Sequence, residues 1–499
     1  MAISRRDLMA GAGALGALAA CNGSEAPQGP TAPTGDALGD LDATGVAARI
    51  RSGAISAPEA MEAAIARTQR VNPALNFIAA PLYDVGRARA AGRLSGPFAG
   101  VPTLIKDLLP LAGAPLRFGS RAFASNVAPA QPPYTDALLA AGLVPFGKST
   151  TPEFGLTATT EPLLGGPTRN PWNPDHSTGG SSGGAAAAVA SGAVPIAHAS
   201  DGGGSIRIPA SCCGLFGLKP SRDRAIVSGA PDRGISISVN GCLSRSVRDT
   251  AAWLAATERS GAEAVYPAVG FVAGPSERRL RIGLAIPDLL GREPDPEVRA
   301  AIESVAALCR SLGHTVRDFT PPIDGAAFET AFLTLWAAGA AEVAEQVAHA
   351  APNVPISQLL EPLTLDLAAQ FRAAPAGSFQ AAVTQLQRMD TQYQAMFAGI
   401  DVLLTPVLSK PPPPIGELSP TLPLDVGFAR VRAYASYTPL QNAAGAPAMS
   451  VPMAWSASGL PIGAHFAAAK GEERRLLELA YELELARPWA GRRPPVWAG

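Results

Sequence analysis

Two serines, Ser181 and Ser205, each sit in a glycine-rich loop within residues 179–220, which read GGSSGGAAAAVASGAVPIAHASDGGGSIRIPASCCGLFGLKP. Dense glycine lets backbone N–H groups approach a ligand and permits positive φ. A serine in such a loop has amide donors beside its hydroxyl, as acyl transfer requires. The run Gly202-Gly203-Gly204-Ser205 offers successive N–H groups aimed at one point, an oxyanion hole; the bland alternative is a glycine turn with no ligand. A serine hydroxyl alone is a weak nucleophile and needs a base. The five histidines are His176, His198, His314, His349 and His465. None is arranged for a Ser-His-Asp triad, and neither serine lies in a GxSxG elbow. His176 and His198 flank the serine loops, as supporting groups or as ordinary polar or core histidines.

Lysine is the other candidate base. Lys106 ends the apolar run GVPTLIK and is the only lysine among the first 147 residues. Burial would keep it neutral, since desolvation lowers a lysine pKa; composition alone leaves open an ordinary solvated charge. Together Lys106, Ser181 and Ser205 suggest a serine hydrolase that uses lysine in place of histidine. A phosphate cradle is disfavoured, because the loops lack both the GK[ST] ending and the GxGxxG order.

The elements that must hold these residues follow from local pattern. Ser56-Ala57-Pro58-Glu59 is a capping box that opens a helix to about Val71. Gly100 to Ile105 is a short apolar strand, with Lys106 where strand gives way to loop. Residues 137–141 fit a helix and 143–146 a strand. Ala185 to Ser191, small and apolar throughout, suits a buried helix packed closely on a sheet. Residues 280–285 read as a strand, and Asp295-Pro296 caps a helix to about Leu312. Residues 314–316 are a strand, 320–400 are mainly helical, and 401–404 form a strand ahead of a proline-rich loop. Strands at 448–452 and 461–466 and a helix at 472–484 close the chain. No solenoid repeat is present. Strands alternating with helices and no clear linker predict one large α/β/α domain, a central mixed sheet covered by helices, over residues 40–495.

Composition bounds the partners. The chain has 499 residues, is 47% hydrophobic and 16% charged, and has a net charge of −1. No basic run argues for nucleic acid or for electrostatic membrane binding. Ser4-Arg5-Arg6-Asp7-Leu8-Met9 is a twin-arginine pattern, and an apolar small-residue run follows to Ala20. Residues 1–20 therefore read as an export signal. Leu18-Ala19-Ala20-Cys21 resembles a lipobox, which makes Cys21 a lipidation site and the only membrane attachment; a plain cleaved signal is the alternative. Residues 21–39 read as a flexible tether, and the protein as periplasmic or cell-surface. Cys212, Cys213, Cys242 and Cys309 have no metal-ligand spacing and read as buried free thiols, with a disulfide left open. A homodimer is compatible with the sequence.

The motif GGSSGG followed by SDGGGSIRIPASCCGLFGLKP resembles the amidase signature family, whose typical text is GGSSGG, a helix, then G-T-D-x-G-G-S-x-R-x-P-A. The resemblance covers about residues 40–490 and extends to Gly147-Lys148, Pro152-Glu153-Phe154, Asn170-Pro171-Trp172 and Gly459-Leu460-Pro461-Ile462-Gly463. It implies an amidase in which Lys106 is the base, Ser181 the bridging serine in a cis peptide, and Ser205 the nucleophile that forms an acyl-enzyme. Gly202, Gly203 and Gly204 supply the oxyanion loop, and Asp201 and Arg207 support it structurally. No metal or organic cofactor is implied; the partner is a small-molecule amide. Two positions depart from the family text: Ala199-Ser200 replaces Gly-Thr, with a hydroxyl retained, and Gly202 is smaller than usual. SGPFAGVPTLIKDL and TRNPWN look most similar to 6-aminohexanoate-cyclic-dimer hydrolases within the family, with pocket residues expected from 110–165 and 320–445. A glutamine-amidotransferase subunit is the alternative, which export disfavours, as the filled catalytic positions disfavour a non-catalytic binding protein.

Overall fold

Local rules visible in the sequence are met where they can be checked. A computed structural model describes residues 35–226 and 235–499; the signal of residues 1–20 and Cys21 lie outside the described residues. The capping box at Ser56 is complete: Glu59 N–H donates to Ser56 Oγ at 3.2 Å, and Ser56 N–H donates to the Glu59 carboxylate at 2.7 Å. The helix it opens, Ala57–Leu75, runs past Val71 because Leu75 is itself fully buried. Asp295 likewise caps Pro296–Ser311 through Glu297 N–H.

Among the described residues thirteen strands are formed: β1 Ile78–Pro81, β2 Pro102–Lys106, β3 Val144–Ser149, β4 Arg169–Asn170, β5 Asn173–Ser177, β6 Ile196–Asp201, β7 Phe216–Lys219, β8 Val239–Ser244, β9 Arg281–Leu284, β10 Thr315–Asp318, β11 Val402–Pro406, β12 Ala448–Trp455 and β13 Pro461–Ala467. Eight of them make a mixed sheet in the order β10-β9-β11-β13-β12-β7-β8-β6. β9 is parallel to β10 and β11, and the remaining neighbours are antiparallel. The α/β class is as expected, but the central layer is built from two sheets. β1-β3-β2 is a separate three-stranded sheet. Its β2 abuts β6 through side chains: Thr103 Oγ1 donates to Ile196 O at 3.0 Å, and Lys106 N–H donates to His198 Nδ1 at 3.3 Å.

Period-two alternation divides the core. Met449, Val451 and Met453 of β12 join one apolar cluster with Ile302, Val305, Leu476 and Leu477 from the helices Pro296–Ser311 and Glu473–Ala486. Ala448 belongs to another cluster with Phe328, Phe332 and Leu386, from the helices Gly325–Ala350 and Ser378–Met396. These two helices and Pro362–Ala373 stack as a helical wall over residues 320–400.

The folded body is longer than residues 40–495. Leu38 is buried and Asp36 pairs with Arg67 at 2.6 Å, so the tether expected over 21–39 gives way to packed chain from Asp36 onward. At the other end Ala498 is buried, and its N–H donates to Ser191 O at 2.8 Å. All four described cysteines are free and buried.

The helix Gly183–Ala190 is buried along its whole length. Its start fits only because Gly184 has no side chain: a β-carbon there would lie 2.3 Å from Thr150 Oγ1 and 2.4 Å from Thr150 N. Alanine normally favours a helix over glycine by about 1 kcal/mol. Here the clash dominates, and Gly184→Ala is expected to lower unfolding free energy by about 1–3 kcal/mol. Denaturant titration checks this through the midpoint at unchanged slope.

Candidate active site

The end of β2 brings Lys106 under the first serine loop. Lys106 Nζ lies 2.7 Å from Ser181 Oγ and 3.1 Å from Ser200 Oγ, so the hydroxyl retained at Ser200 touches the lysine. The Gly180–Ser181 peptide is cis. Lys106 is fully buried and Ser181 is 2% exposed. Burial lowers the Lys106 pKa to about 7, against an opposing pull from the Asp201 carboxylate. His198 supports the strand instead of acting as a base. Its Nδ1 accepts from Lys106 N–H, its Nε2 faces Asn240 Oδ1 at 3.0 Å, and burial lowers its pKa to about 3.

Burial by itself does not single out Lys106, because Lys148 and Lys219 are also fully buried. Lys148 Nζ donates to Leu109 O at 2.5 Å and stands 3.8 Å from Asp107; Lys219 Nζ donates to Pro220 O at 2.8 Å. Among the described residues only Lys106 pairs its amine with a serine hydroxyl in a cleft.

The second serine loop, residues 202–205, is held by Asp201 at the end of β6. Its carboxylate accepts from Gly204 N–H at 2.7 Å, Ile206 N–H at 3.1 Å, Arg207 Nε at 2.9 Å and Asn442 Nδ2 at 2.9 Å. Asp201 and Arg207 are both fully buried. Burial works to raise the Asp201 carboxyl, but Arg207, Lys219 and Asn442 outweigh it and hold it well below the usual carboxylate range. Arg207 also meets Asn442 Oδ1 at 2.6 Å, Gln441 Oε1 at 3.2 Å and His465 Nε2 at 3.0 Å. His465 is kept neutral by burial and by Arg207, and its Nδ1 lies 2.9 Å from Thr405 Oγ1. Thr438 Oγ1 donates to Gly203 O at 2.7 Å. Gly204 has φ +134°, and a β-carbon there would fall 2.2 Å from Thr438 Oγ1.

This geometry corrects one expectation. The Gly204 N–H is committed to Asp201, so it is not an oxyanion donor. Of the four amides read from the sequence, those of Gly202, Gly203 and Ser205 remain without a described acceptor.

Ser205 is 7% exposed and opens onto two clefts. One, of about 790 Å³, is largely apolar and includes Phe328, Phe332, Trp336, Leu289, Phe428 and Val431. The other, of about 1040 Å³, includes Ser181, Ser200, Gly202 and Ser238. Much of this lining falls in the expected ranges 110–165 and 320–445. Asp288 to Leu290, Arg292, Ile235, Ile237 and Ser238 fall outside them. Phe328, Phe332 and Trp336 were not singled out from the sequence, although their spacing of four places them on one helical face. His176, His314 and His349 line neither cleft. Among the described residues no group of three His, Cys, Asp or Glu side chains is placed to hold a metal ion.

Known proteins similar to this chain are amide hydrolases. The Amidase family pattern matches residues 59–477. The putative amidase AmiC of Mycobacterium leprae is 44% identical over 456 residues, covering 91% of this chain and 97% of its own. The 6-aminohexanoate-cyclic-dimer hydrolase of Pseudomonas sp. (strain NK87) is 36% identical over 481 residues, covering 91% and 96%. The solved structure of a 6-aminohexanoate cyclic dimer hydrolase superposes with a TM-score of 0.83 at 33% identity, covering 92% of this chain and 99% of that one. A bacterial aryl acylamidase structure gives 0.82 at 25% identity, covering 91% and 99%. The chain belongs to the amidase signature family and is an amidohydrolase acting on C–N bonds.

Proposed function

We propose that the protein cleaves a small-molecule amide, linear or cyclic, through a Ser205–Ser181–Lys106 relay and an acyl-enzyme. The observation that carries this reading is the buried Lys106 amine 2.7 Å from Ser181 Oγ, with Ser181 and Ser205 lining one cleft. Neutral Lys106 accepts the Ser181 hydroxyl proton as Ser181 takes the proton of Ser205. Ser205 Oγ forms a bond to the amide carbon, and the carbonyl oxygen becomes an oxyanion facing the amides of Gly202, Gly203 and Ser205. The lysine proton returns through Ser181 to the amide nitrogen, the C–N bond breaks, and the amine departs. Water then adds to the ester, gives its proton to the same relay, and releases the acid as Ser205 recovers its hydrogen. The names of the relatives, 6-aminohexanoate-cyclic-dimer hydrolase and aryl acylamidase, support small cyclic and aryl amides as the substrate class. Export by residues 1–20 and anchoring at Cys21 would place the reaction outside the cytoplasm; mass spectrometry of the N-terminus of membrane-bound protein tests this.

A fluorophosphonate probe is expected to label Ser205. Ser205→Ala removes both labelling and amide hydrolysis, the latter by about 10⁴-fold or more; labelling that survives this change refutes the nucleophile. Lys106→Ala is expected to lower kcat by about 10²–10⁴-fold with an unchanged circular dichroism spectrum.

The pH dependence has a definite sign. Lys106 accepts a proton only when neutral, and its pKa is lowered to about 7. Below that pH the ammonium form accumulates, so kcat/KM falls about tenfold per unit toward acid. Above it the rate reaches a plateau. An acid limb centred where an ordinary lysine titrates, about pH 10, would overturn the neutral-lysine base.

A further inference from the structure

The two clefts share four lining residues. Trp336 lines both, together with Gly155, Leu156 and Ser205. Its indole Nε1–H donates to Leu156 O at 3.1 Å, and its ring lies over the second serine loop. A β-carbon at Gly203 would stand 3.5 Å from that ring. Beyond Trp336 the helix Gly325–Ala350 carries Phe332 at 5.5 Å between ring centres, then Phe328 at 5.8 Å from Phe332. These eight helical steps make an aromatic ladder about 12 Å long. The ladder faces the apolar cleft, and Ser181 lines only the other one.

That asymmetry fixes the orientation of a substrate. We infer that Trp336 divides the site into an acyl chamber, the aromatic cleft of Phe328 and Phe332, and an amine chamber on the Ser181 side. The enzyme thereby selects amides whose acyl group is extended and apolar. The inference rests on the relay proposed above. The proton that Ser205 releases returns to nitrogen from Ser181, so the breaking C–N bond faces the Ser181 cleft. The amine leaves there as a neutral molecule carrying that proton. The acyl substituent, on the opposite side of the tetrahedral carbon, stays bonded to Ser205 Oγ and lies along the ladder. Water for the second half-reaction enters the chamber that the amine has vacated, next to the group that takes its proton. Apolar surface buried along the ladder favours long acyl groups.

Two ratios test this in the full-length protein. Across p-nitroanilides from acetyl to octanoyl, kcat/KM is expected to rise up to about fourfold per methylene until the ladder is filled. Phe332→Ala is expected to lower the octanoyl-to-acetyl ratio at least about tenfold. Phe332→Leu, which keeps most of the apolar volume and guards against a folding defect, should give an intermediate ratio. The amine side is probed at Gly339, which lines the Ser181 cleft and where a β-carbon meets nothing within 4 Å. Gly339→Leu is expected to lower the ratio of octanoyl anilide to octanamide by about tenfold and to leave the acyl-length ratio in place. Flat acyl-length dependence in the unaltered protein, or Gly339→Leu acting on acyl length with Phe332→Ala acting on amine size, overturns the assignment. Fluorophosphonate labelling of Ser205 is read in parallel. Retained labelling with failed ratios removes the chamber assignment alone, whereas lost labelling removes the relay.

Discussion

The buried pair of Asp201 and Arg207 is the constraint on which the site depends. Both side chains are out of water, 2.9 Å apart. Such a pair is expensive to desolvate, and losing one partner typically costs about 3–5 kcal/mol because the other charge is left unmatched. That cost makes the geometry all-or-none. The carboxylate is satisfied only if the chain turns sharply enough after β6 to present the Gly204 and Ile206 amides, and the guanidinium only if Asn442, Gln441 and His465 come to it. The pair therefore ties β6, the helix Arg207–Cys213, the short helix Pro439–Ala443 and β13 to one point. Ser205 is suspended between two of those anchors.

One member of the pair, Asp201, also acts on the lysine. Desolvation drives Lys106 toward neutrality, and the Asp201 charge pulls the other way. Desolvation is the larger of the two effects, so the pKa of the amine falls to about 7. Lys219 shows that a lowered pKa is not a function in itself. It too is lowered to about 7 by burial, yet its amine donates to the Pro220 carbonyl and meets no hydroxyl. What distinguishes Lys106 is its position at the strand end, where β2 abuts β6 and the Ser181 hydroxyl comes within 2.7 Å.

The sequence carried the parts of this arrangement that are local. The capping box at Ser56, the cap at Asp295 and the all-small helix after Ser182 depend on neighbours a few residues away and were legible. Lys106, Ser181 and Ser205 stood out as candidates through glycine density and an apolar approach, and the family resemblance supplied their roles. What was not legible depends on distant partners. The Gly204 amide looked like an oxyanion donor until Asp201 was seen to bind it. His465 looked like an ordinary polar or core histidine, since its partner Arg207 is far away in the chain. The loop from Asp288 to Arg292 has no motif of its own; it enters the cleft only because β9 runs parallel to β11 in the large sheet. Asp36 to Gly39 read as linker by composition, and only the packing of Leu38 and the pairing of Asp36 with Arg67 show that it is folded.

The site is thus made of two kinds of structure with different freedoms. The floor, from β2, β6 and the serine loops, is fixed by obligatory contacts: a fully buried ion pair, a lysine bonded to the Ser181 and Ser200 hydroxyls, and glycines whose β-carbons would strike backbone or Thr438. Side-chain changes there strike at the chemistry or the fold. The roof is the helix Gly325–Ala350 and its neighbours, where Phe332 and Trp336 face the cleft by dispersion and apolar contact. Such contacts tolerate exchange of one apolar shape for another far better than buried charges tolerate loss of a partner. Gly339 illustrates the difference, since its β-carbon would enter open space. A floor held by obligatory contacts joined to a roof of exchangeable apolar ones lets side-chain changes on the helix that carries Trp336 reshape both clefts without disturbing the Lys106–Ser181 pair.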